Sequence, residues 1–234
     1  GMFMREGDYF WPGRMKGWSD WPKNDSGARN LDVNGYPTVG KSGYQLCPSY
    51  RGPEFANAMA KTRSRVAKSG VNWFAFDMEG YVMPSGDQGC FCERCLHAFE
   101  TFRTRRFPAL SPLSPKEFER EPDRHPEHHR AWLAFKDRQW AGLFRAMKAA
   151  VADVVGQTCP KRGPVLSEWS FGHPWDAEAV NRTYRGWEFV RTFDWFEVSA
   201  YSGVQRFVDR QLERERALAD HAPVVMVNLL KYRA

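Results

Sequence analysis

Five cysteines are the residues whose types and spacing point most directly to chemistry. Four of them, Cys47, Cys90, Cys92 and Cys95, follow the pattern C-x42-C-x-C-x2-C, and Cys159 stands apart as a free thiol. Cys90, Cys92 and Cys95 are too close together for three disulfides. Four thiolates make a complete tetrahedral set for zinc with no position open for water, so such a metal would be structural. A disulfide within the set or an iron–sulfur cluster are the other chemistries it allows. Carboxylates form the second group. Asp77 and Glu79 close the apolar run VNWFAFDME and, two apart on a strand, share a face. Glu168 lies near the end of PVLSEWSF, and Glu197 lies in FDWFEVSAY, where its alternating neighbours suit either face. A strand-end salt bridge is the other reading of Asp77 and Glu79, and a hydrogen-bonded wall position that of Glu168. His173, followed by Pro174, reads as a loop residue, and His125, His128 and His129 fall in a charged stretch that suggests no second metal.

The elements that must position these groups can be read in outline. Residues 1–52 are rich in Gly, Pro, Asn and Asp without a sustained period, and read as irregular. A helix starts at Pro53, a favourable first-turn residue, and stops at Gly70, a typical residue just past a helix end. The run 71–79 is a buried strand with acids at its exit. A second helix covers about 93–106, and residues 108–128, rich in Pro, Glu and His, read as a solvated excursion. Trp132, Phe135, Trp140, Leu143, Phe144 and Met147 recur near helical spacing in a long helix over about 129–155. Strands at 164–171, 193–201 and 223–230 alternate with helices over about 177–191 and 204–221. A zinc on the four cysteines would tie the loop before the first helix to the loop after the first strand.

Strands alternating with helices imply parallel βαβ units. The expected fold is therefore α/β, a (β/α)-barrel-like single domain over 1–234. With about four good strands, it reads as an incomplete or open TIM barrel, since eight need about 250 residues. An open edge would call for a homo-oligomer or a longer natural chain. Charged residues are 26% of the 234, and the net charge of +6 is dispersed, which argues against nucleic acid as a partner. No run approaches a membrane span, and no signal peptide is visible, which with reduced thiolates favours the cytoplasm. Ten tryptophans are many; Trp11, Trp18 and Trp21 suit either sugar-ring stacking or a loop pinned by its own aromatics.

LCPSYRGPEF, then FDMEGY, then CFCERCLHAF resemble the β-galactosidases of glycoside hydrolase family 42, over roughly residues 44–102. In that family a Cys-Pro segment, a strand ending in a catalytic Glu and a C-x-C-x2-C stretch follow in this order. The resemblance implies a glycoside hydrolase acting on β-linked sugars, β-galactosides among them, with a structural zinc. Such hydrolysis takes two carboxyl groups flanking the scissile bond. The family's proton donor maps onto Glu79, but its preceding Asn is Met78 here. The family's nucleophile comes from the seventh strand, where 223–230 offers Asn228, so Glu168 is the stand-in. Asp77, Trp169, Tyr201 and Asn228 would line the sugar cleft. The missing nucleophile makes a non-catalytic carbohydrate-binding relative the alternative.

Overall fold

The computed structural model describes residues 2–5, 27–37, 39–40, 43–44, 47–77, 89–158, 160, 165–169, 188, 190–200, 209, 213 and 224–228, the strands by their backbone alone. The chain divides into two compact units. Unit 1 comprises Gly1–Arg5, Arg63–Met83 and Phe144–Ala234, and unit 2 comprises Glu6–Thr62 and Pro84–Leu143.

Unit 1 carries five parallel strands: β1 (Met2–Arg5), β4 (Trp73–Asp77), β5 (Val165–Trp169), β6 (Trp195–Ala200) and β7 (Val224–Asn228). β4, β6 and β7 are mostly apolar and rich in aromatic or β-branched residues, which fit a pleated surface. The five strands pair in the order β1-β4-β5-β6-β7. The register sets Phe76 beside Glu168, Asp77 beside Trp169, Trp169 beside Glu197 and Ala200 beside Asn228. β1 falls in the opening that reads as irregular, and its four residues pair with Phe74–Asp77. The expected helices at 177–191 and 204–221 lie for most of their length outside the described residues.

The expected α/β, open or incomplete (β/α)-barrel is corrected: the part described to its side chains is mostly helical, and this is not an α/β barrel. Of the residues described to their side chains, 65% are helical and 3% extended. Among the described strands, β1 pairs only with β4 and β7 only with β6, so the row has two ends instead of closing on itself.

In both units the helices follow their end signals. α1 (Pro53–Ser69) has Pro at its first position and Glu54 in its first turn, and Gly70 follows it at φ +67°, the left-handed region glycine enters without strain. In unit 2, a short hairpin joins β2 (Val39–Gly40) to β3 (Gly43–Tyr44). α2 (Glu93–Arg106) starts directly after Cys92 and leads to α3 (Pro115–Phe118). α4 (Pro126–Thr158) is the long helix, running past Gly156, where the sequence suggested an end.

Within 108–128 most residues are exposed, but Pro115, Phe118, Glu119 and His128 are buried. Ser114 caps α3: its hydroxyl accepts from the Lys116 N–H, and the Glu117 carboxylate accepts from the Ser114 N–H at 2.9 Å. This reciprocal box satisfies two otherwise orphaned donors. It sets Phe118 fully buried in a ring cluster with Phe91, Phe99, Trp132 and Phe135. Phe99 lies 5.1 Å from Trp132, edge to face, and 5.6 Å from Phe135, a geometry that aromatic quadrupoles favour. In unit 1, Arg63 of α1 binds Asp153 of α4 through two hydrogen bonds of 2.5 and 2.6 Å and donates to the Ala150 carbonyl at 2.7 Å.

Candidate metal centre

Three backbone segments of unit 2 build the cysteine site. The Cys47 N–H donates to the Ala28 carbonyl at 2.8 Å, and the Phe91 N–H donates to the Leu31 carbonyl at 2.8 Å. Segment 28–31 thus lies between the two cysteine-bearing stretches. Cys47 opens a turn closed by the Tyr50 N–H on its carbonyl at 2.9 Å. Cys92 is the extended residue preceding α2, and Cys95 sits in that helix's first turn. Partial positive charge at a helix N-terminus favours thiolate there.

All four Sγ atoms lie within 4.8 Å of one another, and the four cysteines could hold a metal ion. Cys47 Sγ is 3.3 Å from Cys95 Sγ and 3.7 Å from Cys92 Sγ. A zinc–sulfur bond of about 2.3 Å sets tetrahedral sulfurs about 3.8 Å apart, so the donor set fits. A disulfide would require about 2.05 Å, and all four cysteines are free. None is more than 8% exposed. Four sulfurs would fill a tetrahedral ion's shell, which leaves no place for a substrate. Hydrogen bonding divides the thiols. The bond from Cys90 lowers Cys47, and the bond from Cys47 lowers Cys92. As donors to Cys47, Cys90 and Cys95 are raised. Metal ligation would need all four deprotonated.

Two polar side chains meet the sulfurs from outside. Arg94 Nη1 lies 3.6 Å from Cys47 Sγ and donates to the Gly27 carbonyl at 3.0 Å, with the guanidinium 5.2 Å from the Tyr50 ring centroid. Gly27 has φ +63°, and a Cβ there would lie 3.0 Å from Arg94 Nη2, so backbone and space both favour glycine. Gln139 of α4 donates from Nε2 to Cys95 Sγ at 3.2 Å and to Ser49 Oγ at 2.8 Å. Neither role is legible in the cysteine pattern. The available signal for Gln139 is a polar residue on the apolar stripe of Trp132, Phe135 and Leu143.

The carboxylate half of the expected site is described only in part. Asp77 ends β4, Glu168 and Trp169 end β5, and Asn228 ends β7. Glu79, Tyr201, Cys159 and His173 lie outside the described residues. His128 and His129 are structural instead: His128 Nε2 meets the Ser111 carbonyl at 2.9 Å, and His129 Nδ1 meets the buried Glu119 carboxylate at 2.5 Å. No described helix is long and apolar enough to cross a membrane.

No protein-family model, no curated protein and no solved structure matches this chain.

Proposed function

We propose that the chain is a glycoside hydrolase-like protein acting on β-linked sugars, in which Cys47, Cys90, Cys92 and Cys95 hold one structural zinc. The observation that carries the proposal is the closed, buried thiolate set, all four sulfurs within 4.8 Å. Zinc suits it because a d¹⁰ ion accepts four thiolates in a tetrahedron without redox change. The same cysteines, in the same order, carry the resemblance to the family 42 β-galactosidases. For the sugar-directed half, the register sets Asp77, Trp169 and Glu197 on one face of the sheet and Glu168, beside Phe76, on the other. Parallel sheets place ligands beyond the carboxyl ends of their strands. There β4 and β5 bring Asp77 beside Trp169 and Glu168 beside Phe76. In this reading Glu79, two residues past the end of β4, donates the proton to the leaving oxygen. Glu168 serves as the second carboxylate only where the chain beyond Asp77 carries Glu79 round to its face of the sheet.

Asn228 at the end of β7 favours the alternative, a carbohydrate-binding relative that lacks a nucleophile. One experiment separates the two. Purified protein is assayed for zinc and for hydrolysis of an aryl β-galactoside and of lactose. The enzyme reading expects one zinc per chain and lactose turnover that Glu79→Gln removes, with the aryl substrate much less affected because its phenol needs little protonation. Saturable lactose binding without turnover supports the binding relative. Hydrolysis unchanged by Glu79→Gln on both substrates assigns the proton to another residue, and zinc-free protein with disulfides among the four cysteines ends the metal reading.

A further inference from the structure

Gln139 is a polar residue where the helix period calls for an apolar one. It lies seven residues after Trp132 and four after Phe135, both buried in the ring cluster. Its own exposure is 8%, so water is a poor substitute partner for its carboxamide. The amide nitrogen has two protons, and the structure gives it two acceptors, Cys95 Sγ at 3.2 Å and Ser49 Oγ at 2.8 Å. Ser49 lies in the turn that Cys47 opens, and Cys95 in the first turn of α2. One side chain of α4 therefore spans both stretches that supply the sulfurs.

We propose that Gln139 is a positioning residue for the metal, an outer-sphere donor through which α4 registers whether the cysteines are loaded. The inference rests on the zinc reading above. A metal-bound thiolate is a permanent, charged acceptor for the carboxamide, and hydrogen bonds to charged sulfur or oxygen are the stronger kind. A protonated thiol is a weak acceptor and itself a donor. Metal loss thus weakens one of the two bonds of a buried amide, and the loss falls on the face of α4 that carries Trp132 and Phe135. In the loaded state the same bond draws charge from Cys95 and fixes its Sγ direction, as outer-shell groups do in other metal sites.

The test uses the full chain loaded with zinc and, separately, with cobalt(II). Gln139→Met preserves side-chain length and volume while removing both donors. Wild type is expected to hold one metal per chain. The variant is expected to hold it about 10–100-fold more weakly in competition with a chromophoric chelator. It should also shift the thiolate-to-cobalt absorption band. Amide exchange across residues 132–143 should slow on metal loading in wild type and respond much less in the variant. Unchanged affinity and an unchanged cobalt band in Gln139→Met overturn the proposal, even if the variant is less stable, because packing alone would move neither. Should that variant not fold, Ser49→Ala, which removes the hydroxyl that aims the carboxamide, is expected to weaken binding in the same direction; wild-type affinity there overturns the proposal. Wild type that binds no metal overturns this inference together with the zinc reading, whereas metal binding indifferent to Gln139 overturns this inference alone.

Discussion

Within unit 2, Phe91 sits between Cys90 and Cys92 in sequence but belongs to a different core. Its ring joins Phe99, Phe118, Trp132 and Phe135, whereas the two cysteines join Cys47, Cys95, Ala28 and Tyr50. Extended backbone sends alternate side chains to opposite sides, and Cys92 is extended at φ −68°, ψ 156°. The ring cluster holds by apolar area, at about 1.5–3 kcal/mol for each large side chain removed from water. The sulfur cluster has little apolar volume, and four thiols at these distances gain most of their cohesion once an ion replaces their protons. One stretch of six residues, Cys90–Cys95, thus serves two cores, of which only the sulfur cluster could hold a metal ion.

The sharpest way to separate the two cores is to remove a ligand. Cys92→Ala should abolish stoichiometric zinc and lower the thermal midpoint by about 10–20 °C, as a loss of about 5 kcal/mol would in a domain this size. A chelator should bring wild type down toward the variant and leave the variant unmoved. Equal sensitivity of both proteins to chelator would break the distinction.

A cavity in the ring cluster should act the other way. Phe99→Ala removes a fully packed ring and should destabilise by about 3–5 kcal/mol in denaturant titrations. Bound zinc should remain at one per chain, because Phe99 belongs to the ring cluster alone. Zinc lost in proportion to stability would show the two clusters to be one.

The smallest expected effect lies at the far end of α2. Arg103, with a side chain only 6% exposed, donates to both oxygens of Glu100 at 2.5 and 2.9 Å and to the Leu110 carbonyl. Arg103→Met should cost about 1–3 kcal/mol at pH 7. The hydrogen bond from Arg103 lowers the Glu100 pKa below its ordinary value. A depressed folded pKa contributes stability present above the unfolded value, about 4.3, and lost as pH falls through the folded one. The gap between wild type and variant should therefore narrow below about pH 4 in parallel unfolding curves. A gap that widens on acidification would place the contribution outside the ion pair.

Much of this architecture is local and could be read from the chain. Pro53 and Gly70 bracket α1 because the first lacks an N–H that the helix start would leave unpaired and the second accepts φ +67°. The strands at 73–77, 165–169, 195–200 and 224–228 follow from apolar runs bounded by turn residues. The S-P-K-E box at Ser114–Glu117 was equally legible, yet the Pro, Glu and His content of 108–128 suggested a solvated stretch. Composition averages over a segment, whereas Phe118 is buried by one capped turn.

The sequence by itself singled out the four cysteines that could hold a metal ion, because thiol count and spacing are read directly from the chain. It also determined most helix boundaries, where the signals lie within a turn of their effect. Tertiary structure alone decided three further features. β1 emerges from four residues whose strand character exists only through pairing with Phe74–Asp77. The order in which the strands pair, β1-β4-β5-β6-β7, depends on contacts that no single segment encodes. Gln139 reaches Cys95 across 44 residues, a contact fixed by how α4 packs beside α2. In each case the partner is distant in sequence, and its energy appears only after the chain has closed the intervening loop.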